Sequence, residues 1–363
     1  MKCGIVGLPN VGKSTLFNCL SNAKALAANY PFATIEPNVG VIPVPDDRMA
    51  KLEELVKPEK MHQAIVEIVD IAGLVRGASK GEGLGNKFLA NIRETQAIIH
   101  VLRCFDNDNI THVDETINPV RDKETIDIEL QIKDLESVEK KIETTKKKTR
   151  TGDKEAAKHL SILEKYKDHF ESGLSARSID LTAKEKEVVE DLMLLTDKPI
   201  LYICNVNEND ANDGNAYVDA VREAIKDEDS EMLIIAAGME ADIMELETFE
   251  ERQEFLSDMG LEEPGVKKVI RTAYSLLNLQ TYFTAGVKEV RAWTIKEGFT
   301  APQAAGVIHT DFEKGFIRAE VIKYDDYVAL GSELACKEAG KLAVEGKEYI
   351  VQDGDIMHFR FNV

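Results

Sequence analysis

The sequence predicts an α/β fold that begins with a phosphate-binding loop and also contains a helical insertion and a small mixed α/β domain. Residues 7–14 read Gly-Leu-Pro-Asn-Val-Gly-Lys-Ser and follow an apolar run at 3–6 that has the character of a buried strand. A helical pattern of apolar residues begins directly afterwards at Leu16. Strand, glycine-rich loop and helix in this order are typical of a nucleotide-binding α/β domain. Four further apolar runs have the length of buried strands: 64–69, 97–102, 199–204 and 232–236.

The loop at 7–14 fits the pattern G-x-x-x-x-G-K-[ST] at every fixed position. Gly7 and Gly12 would let backbone N–H groups close around an anion, and the following helix points its positive end at the phosphates. Lys13 is expected to reach the β- and γ-phosphates as a catalytic charge, and Ser14 to offer its hydroxyl to Mg²⁺. A simple strand-to-helix turn would not need this Lys-Ser pair. The nucleotide contacts predicted from this loop are Asn10, Val11, Gly12, Lys13, Ser14 and Thr15.

Two later segments carry candidate groups for the metal and the γ-phosphate. Thr34 lies in a loop with two prolines, about 20 residues beyond the phosphate loop, where related NTPases carry a Thr that senses Mg²⁺. Asp70 and Gly73 belong to a D-x-x-G at the tip of an apolar strand, which suits a carboxylate in the Mg²⁺ shell and an N–H at the γ-phosphate. The sequence therefore predicts Ser14, Thr34 and Asp70 as metal ligands, although an exposed Thr in a loop is often only solvated.

The residue that would position the attacking water is not obvious from the sequence. Leu74 stands where many GTPases place a Gln, and a Leu cannot orient water. His112 is a candidate because it follows the strand ending near Leu102 in a polar segment, and an imidazole can take up a proton near neutral pH. A lone His in a polar loop is more often only solvated, so that interpretation stays open beside the catalytic one. Asn10 resembles the Asn that lets some related NTPases recruit K⁺.

The predicted base-binding segment departs from the guanine-reading motif. GTPases carry N-K-x-D after the corresponding strand, whereas this chain has Asn-Val-Asn-Glu at 205–208. Asn205 can still donate to the imidazole-ring nitrogen that both purines have. Val206 replaces the Lys, and the longer Glu208 replaces the Asp that reads guanine. A second register at 207–210 also gives N-x-x-D but places Glu where the Lys belongs. Guanine specificity should therefore be weakened.

An antiparallel helical hairpin with a basic tip is predicted between the strands. Thr182 to Glu185 is a capping box that predicts a third helix through Leu195. Residues 140–158 contain eight basic and three acidic side chains. Such a run is usually a solvated face, but it could also meet phosphates. The two apolar seams that predict the hairpin are Ile128, Ile132, Leu135, Val138 and Ile142, followed by Ala156, Leu160, Leu163 and Phe170.

Composition restricts the partners and the compartment. The net charge of −20 disfavours non-specific nucleic-acid binding by the whole surface, so any RNA contact must be local. Five scattered cysteines without a C-x-x-C pair are typical of reduced packing residues. The first strand starts too early for a signal peptide, and no apolar run approaches the ~18 residues of a membrane span. We expect a cytoplasmic protein without membrane contact.

These motifs together resemble the YchF branch of Obg-type P-loop NTPases, and the resemblance extends over the whole chain. The residues that carry it are 7–14, Tyr-Pro-Phe-Ala-Thr-Ile-Glu-Pro-Asn at 30–38, Asp-Ile-Ala-Gly-Leu at 70–74, Asn-Val-Asn-Glu at 205–208, Asn-Leu-Gln-Thr-Tyr-Phe-Thr at 278–284 and His-Thr-Asp-Phe-Glu-Lys-Gly-Phe at 309–316. The resemblance implies a Rossmann-like P-loop G domain, a coiled-coil insertion and a C-terminal β-grasp (TGS) domain. The corresponding boundaries are 1–121 with 198–275, then 122–197, then 276–363.

The resemblance also implies a function. It implies ATP preferred over GTP, an apolar residue in place of the catalytic Gln and association with the ribosome. From the positive charge concentrated at the basic tip we expect the tip, together with the TGS domain, to contact the large subunit or RNA, and we expect a monomer. Three interpretations remain open at this point. The chain could be a slow ATPase that acts as a switch, a conventional GTPase with a tolerated change in its base motif, or a nucleotide-stabilised scaffold with negligible turnover.

Overall fold

The structure is a computed structural model that describes residues 2–22, 38–71, 84–112, 116–150 and 152–362. The strands are β1 (Lys2–Val6), β2 (Val39–Pro43), β3 (Met61–His62), β4 (Ile65–Asp70), β5 (Ala97–Arg103), β6 (Ile200–Asn205), β7 (Glu231–Ile235), β8 (Leu279–Ala285), β9 (Val290–Lys296), β10 (Phe316–Ile322), β11 (Ala343–Glu345) and β12 (Ile356–Phe361). The α-helices are α1 (Lys13–Asn22), α2 (Asp47–Val56), α3 (Leu84–Arg93), α4 (Pro119–Thr149), α5 (Lys154–Glu171), α6 (Ala183–Lys186), α7 (Ala216–Ala224), α8 (Ala237–Glu245), α9 (Phe249–Asp258), α10 (Gly265–Leu276), α11 (Ala301–Ile308), α12 (Thr310–Lys314), α13 (Tyr324–Leu330) and α14 (Glu333–Glu338). Short 3₁₀ turns span Ala176–Ser178, Glu187–Leu192, Leu195–Asp197 and Glu208–Asp210.

Within the described residues the chain divides into two compact units. The first contains 2–22, 38–40 and 67–269, and the second contains 41–66 and 270–362. This division differs from the predicted boundaries for residues 41–66, which the sequence placed in the NTPase domain. The helical insertion also belongs to the first unit and does not form a unit of its own.

The first sheet has the strand order β2-β4-β1-β5-β6-β7. β1 pairs in parallel with β4 and β5, β5 with β6, and β6 with β7. Every residue of β5 and β6 is buried, because a parallel sheet is covered on both faces and its strands are almost continuously apolar. The strands predicted from the apolar runs are confirmed within one residue at each end. Parallel strands bring their carboxyl ends to one edge of the sheet, which is where the phosphate loop lies.

The insertion is a helical hairpin whose base packs against the first sheet. Lys123, near the start of α4, is buried and lies 2.8 Å from an Asp127 carboxylate oxygen and 2.5 Å from a Glu228 carboxylate oxygen. Its ammonium nitrogen also lies 5.4 Å from the centroid of the Tyr202 ring in β6. These contacts explain why the insertion belongs to the same unit as the sheet.

The seam predicted for α4 is correct only in its second half. Val138 and Ile142 pack in one apolar cluster with Leu163 and Phe170 of α5. Ile128, in contrast, is 53% exposed, because the buried face of the first half of α4 contains Ile126 and Leu130 instead.

The third helix of the insertion is shorter than predicted. The capping box at Thr182 and Glu185 is present, with both reciprocal hydrogen bonds. The α-helix nevertheless ends at Lys186 and continues only as a 3₁₀ turn, which Met193 terminates in the left-handed conformation (φ 46°).

The second unit is built on a mixed sheet of order β11-β10-β12-β8-β9-β3. β8 pairs antiparallel with β9, and β10 pairs antiparallel with both β11 and β12, whereas β12 with β8 and β3 with β9 are parallel. Tyr282, Ile295 and Phe359 belong to its apolar core, together with the alanines of α11. The C-terminal residues predicted to form a small mixed α/β domain thus lie in a mixed α/β unit that also contains 41–66.

Residues 41–66 join this unit through β3 and α2. β3 pairs with β9, and Arg48 of α2 donates from Nη1 to Asp353 Oδ2 at 2.6 Å. The same guanidinium lies 5.1 Å from the centroid of the Phe283 ring.

The five cysteines are buried and unpaired, as predicted for packing residues. Cys104 directly follows β5 and Cys204 lies in the neighbouring strand β6, and a hydrogen bond between the thiols, together with burial, raises the pKa of Cys104 well above its usual range. Among the described residues, no helix combines the length and the hydropathy that a membrane crossing requires.

Candidate functional site

A cavity of about 1090 Å³ lies at the carboxyl edge of the first sheet. The phosphate loop and Asp70 line it, as do residues from the segments that follow β5, β6 and β7. These segments meet because the strands that precede them run parallel in one sheet. The predicted phosphate, metal and base residues that the structure describes are thus mostly brought to one pocket.

The two glycines of the phosphate loop are required by its packing. A Cβ at Gly7 would lie 2.8 Å from the Val101 carbonyl oxygen. Gly12 has φ +91°, and a Cβ there would overlap the amide nitrogen of Asn205. Asn10 also has positive φ (65°) and donates from Nδ2 to the Thr111 carbonyl at 3.0 Å. The loop is therefore held against the segments after β5 and β6.

Two charged residues predicted for the phosphate end, one from the loop and one from β4, meet at the pocket. Lys13 is buried and forms an ion pair with the Asp70 carboxylate, and both residues line the pocket. Ser14 and Thr15 are exposed and line it as well, at the start of α1. An exposed hydroxyl and a carboxylate are oxygen ligands of the kind that Mg²⁺ takes, usually few in number. The described residues contain no group of three or more His, Cys, Asp or Glu side chains placed to hold a metal.

Asn205 connects two walls of the pocket. It is 4% exposed, donates from Nδ2 to the Val11 carbonyl at 2.9 Å and accepts from the Ala237 backbone N–H at 3.0 Å. The amide oxygen and one N–H are thus used within the protein, and only the second N–H could serve the predicted purine contact. Val11 is itself buried and is not among the described residues that line the pocket, so a nucleotide contact at this position would have to come from its backbone.

The predicted base wall is present. Val206 is buried and Glu208 is exposed, and both line the pocket. Ala236, Ala237 and Gly238 line it too, at the position predicted for the purine loop.

Sequence reasoning missed five lining residues. They are Phe105, Asn107, Ile110, Met239 and Asp242. The first three follow β5 directly, and the last two lie in the first turns of α8 after β7. Their position after parallel strands was the available signal, because such segments share one edge of the sheet with the phosphate loop.

His112 does not lie in a solvated loop as expected. It is 5% exposed, and its Nε2 lies 2.8 Å from Oδ2 of Asp122, a buried residue in the first turn of α4. The polar character of the surrounding sequence was misleading because this carboxylate partner comes from another element. His112 is not among the described residues that line the pocket, although its neighbour Thr111 contacts Asn10. Its catalytic role stays a prediction.

Three residues of the predicted site lie outside the described residues. They are Thr34, Gly73 and Leu74. Their roles remain predictions from the sequence.

The basic tip is formed by the end of α4, the start of α5 and the turn between them. Arg150 and the three lysines of the last turn of α4, Lys146, Lys147 and Lys148, are exposed. Lys141 is less available than predicted, because it forms an ion pair with Asp191. Lys146 lies 3.6 Å from a Glu164 carboxylate oxygen, an exposed pair of the kind that contributes little stability.

Comparisons with known proteins match both units of the chain. A family described as "50S ribosome-binding GTPase" matches residues 2–134, and the family of YchF GTPase C-terminal domains, described as a protein of unknown function, matches 279–362. "Ribosome-binding ATPase YchF" of Pasteurella multocida (strain Pm70) is 59% identical over 362 residues, covering 100% of this chain and 99% of the relative. The protein of that name from Bacillus subtilis (strain 168) is 54% identical over 365 residues, covering 100% of both. The solved structure of the Schizosaccharomyces pombe YchF GTPase has a TM-score of 0.90 and 40% identity, covering 99% of this chain and 97% of that one. The predicted α/β fold class with a P-loop NTPase domain is confirmed.

Proposed function

The chain belongs to the YchF family, and from that premise we propose that it is a Mg²⁺-dependent ATPase that acts as a conformational switch on the ribosome. Relatives named ribosome-binding ATPases support the proposal over the full length of the chain. The observation that carries it is the pocket itself, where a complete phosphate loop faces a base wall without the Lys and Asp of the guanine motif.

The protein groups at the phosphate end have separable roles. Lys13 would place its ammonium at the triphosphate, and the backbone N–H groups of the loop and of the α1 N-terminus would bind the phosphate oxygens. Ser14 and Asp70, with Thr34 predicted from the sequence, would hold Mg²⁺, which when bound neutralises charge on the triphosphate. The ion pair between Lys13 and Asp70 keeps both charges at the pocket before either meets a ligand.

We expect ATP to bind more tightly than GTP. A site built for the guanine edge discriminates strongly, because the wrong base leaves buried polar groups unpaired. Here the side chain of Val206 offers no hydrogen-bond donor or acceptor, and that of Glu208 is longer by one methylene than the Asp that reads guanine. Calorimetric titration with both nucleotides and Mg²⁺ measures the preference, and the variant Val206→Lys with Glu208→Asp should move it toward GTP by about tenfold.

Glu208→Asp alone is the matched control for that double variant. Val206 is buried, so a Lys there could disturb folding, whereas Glu208 is exposed and its substitution should not. Glu208→Asp should give a smaller shift in the same direction. An unmodified protein that bound GTP about tenfold more tightly than ATP would contradict the proposal. It would support a conventional GTPase, the activity named for the matched 50S ribosome-binding GTPase family and for the Schizosaccharomyces pombe YchF GTPase.

Water activation is proposed for His112, with K⁺ as an assisting cation at Asn10. The hydrogen bond from Asn10 to Thr111 uses the amide nitrogen and so leaves the amide oxygen, the atom a cation requires, outside this bond. We expect His112→Ala to lower kcat by about a hundredfold while ATP affinity changes by less than about twofold. Turnover of the unmodified protein should be faster in K⁺ than in Na⁺.

His358→Ala is the matched control, because His358 is an exposed histidine of the second unit. Steady-state turnover of the three proteins in both salts separates the two ideas. Equal rates for His112→Ala and the unmodified protein would exclude the histidine, and equal rates in K⁺ and Na⁺ would exclude the cation. Negligible turnover by the unmodified protein at saturating ATP would favour a nucleotide-stabilised scaffold.

The proposed partner is the ribosome, specifically its large subunit or RNA, contacted by a cytoplasmic monomer. One matching family is described as a 50S ribosome-binding GTPase, which supports the large subunit. Exposed lysines at the end of α4 supply the local positive charge that such a contact needs in a chain of net charge −20. The second unit would provide a further contact surface.

A further inference from the structure

Arg103, the last residue of β5, is almost completely buried with its guanidinium directed at the following segment. It is 1% exposed, and it donates to three backbone carbonyls: from Nε to Phe105 at 3.2 Å, from Nη1 to Ile110 at 2.9 Å and from Nη2 to Asn107 at 3.2 Å. Its guanidinium carbon also lies 4.7 Å from the centroid of the Phe105 ring. In the part of the chain that the structure describes, no carboxylate forms an ion pair with Arg103.

The three residues whose carbonyls accept from Arg103 all line the nucleotide pocket. They belong to residues 105–110, the Arg103 segment, which contains neither helix nor strand. Its internal order consists of a turn in which the Ile110 N–H donates to the Asn107 carbonyl at 3.1 Å and the Asn109 N–H to the Asn107 side chain at 2.9 Å. The guanidinium therefore ties both ends of this segment to the end of β5, while Asp106 also accepts from the Tyr217 hydroxyl at 3.0 Å and from Asn207 Nδ2 at 3.5 Å.

The Arg103 segment also borders the two other walls of the pocket. Immediately before it, the Cys104 N–H donates to the Asn205 carbonyl at 2.8 Å, next to the predicted base residues. Immediately after it, the Thr111 carbonyl accepts from Asn10 of the phosphate loop at 3.0 Å. A displacement of this segment would alter the shape of the pocket beside the base.

Burying an arginine without an acidic partner is costly, and only a well-formed set of acceptors offsets the cost. A guanidinium suits this task because its donors are fixed in one plane and can reach several carbonyls at once. A lysine has one ammonium on a flexible stem and cannot span the three acceptors. The three hydrogen bonds to these carbonyls thus depend on the planar set of donors that only arginine has among the side chains.

We propose that Arg103 is a positioning residue for the nucleotide, because it holds Phe105, Asn107 and Ile110 as one wall of the base site. The inference rests on the proposed function only in that the pocket must bind a purine nucleotide. It adds a determinant of purine selection that lies on β5, away from the altered guanine motif at 205–208. Phe105 supplies the aromatic surface of this wall, and Arg103 fixes where that surface lies.

The test compares Arg103→Lys with Arg252→Lys. Arg252 is the matched control because it is a partly buried arginine of the same unit that donates from Nε and Nη2 to one carbonyl, that of Leu246, at 3.0 and 2.6 Å. Affinities for ATP, GTP and inorganic tripolyphosphate are measured by calorimetry with Mg²⁺. Arg103→Lys should lose about tenfold in ATP affinity and bring the ATP-to-GTP ratio closer to one, while tripolyphosphate affinity stays within about twofold. Arg252→Lys should change none of the three.

A second variant, Phe105→Leu, serves if Arg103→Lys fails to fold. It should reproduce the loss for ATP without a loss for tripolyphosphate. Where Arg103→Lys does fold, the two substitutions combined should lose less than the sum of their separate effects, because both act through one wall. Unchanged nucleotide affinities in Arg103→Lys, or an equal loss for ATP and tripolyphosphate, would overturn the inference and leave Arg103 a residue of the fold alone. A lack of ATP binding by the unmodified protein would overturn the proposed function, and the inference with it.

Discussion

Replacement of Lys13 with Ala is expected to abolish nucleotide hydrolysis while leaving the fold intact. The substitution removes the ammonium that would meet the β- and γ-phosphates and leaves the Asp70 carboxylate without its ion-pair partner in the same pocket. The unpaired carboxylate would then repel the triphosphate. Loss of one such charge typically costs about 3 kcal/mol or more in the transition state, so turnover should fall by a factor of about 100 to 1,000.

Lys2→Ala is the matched control for Lys13→Ala. Lys2 also lies next to a carboxylate across the β1–β4 pair, with its ammonium 3.7 Å from Glu67, but it is largely exposed and is not among the described residues that line the pocket. Phosphate release and thermal unfolding are measured for both variants and for Ser14→Ala, which should also lose hydrolysis because it removes the predicted metal ligand. Lys2→Ala should retain full turnover. Undiminished turnover in Lys13→Ala would refute the assignment of the loop.

The sheet and the phosphate loop could be predicted from the sequence because their signals are local. β5 and β6 are buried on both faces, so their apolar runs are continuous and mark the strand ends within one residue. Gly7 and Gly12 are needed for close backbone approach, which restricts the residue type at each position.

The features that were missed depend on partners distant in the sequence. His112 is buried against Asp122 of α4. β3 has only two residues, and it is recognisable as a strand only through its pairing with β9 in the second unit. Ile128 fits a helical seam by spacing, yet tertiary packing selects the face that contains Ile126 and Leu130. A periodic pattern shows that a face is apolar but not which neighbour will cover it.

The role of Arg103 could not be predicted because its acceptors are backbone carbonyls. Every residue has a backbone carbonyl, so the residue types at Phe105, Asn107 and Ile110 do not indicate that their carbonyls accept hydrogen bonds from Arg103. Asn205 is similar, since its side chain bonds the Val11 carbonyl and the Ala237 N–H within the protein, besides the purine contact predicted for it. Side-chain motifs identify the groups that do chemistry, while the groups that hold them depend on the folded backbone.

Reversal of charge at the hairpin tip should weaken ribosome binding strongly while leaving ATP affinity nearly unchanged. α4 has 31 residues and is about 46 Å long, with buried anchors near its start and exposed lysines in its last turn. The exposed charge is thus concentrated at the far end of the helix from the residues that contact the sheet. Replacing Lys146, Lys147, Lys148 and Arg150 with Glu changes the local charge by eight units, from four positive to four negative charges.

Each basic residue that neutralises a phosphate adds about one unit to the slope of log affinity against log salt concentration. Loss of four such contacts should therefore reduce the slope by about three to four units and weaken binding by about tenfold or more at low salt. Co-sedimentation with ribosomes over a series of KCl concentrations measures both quantities. ATP affinity should stay within about twofold, because none of the described tip residues lines the pocket.

The effect of the changed net charge must be distinguished from the effect of its position at the tip. A second variant, with four charges reversed elsewhere, makes this distinction. Lys184, Arg222, Lys226 and Lys268 are exposed residues of the same unit outside the tip, and their replacement with Glu changes the net charge by the same amount. If long-range repulsion between an acidic protein and RNA governed binding, both variants would lose affinity equally. If the tip makes the contact, only the tip variant should lose affinity together with salt dependence. Unaltered sedimentation of the tip variant at every salt concentration would show that the tip is a solvated end, and the ribosome contact would then have to come from the second unit.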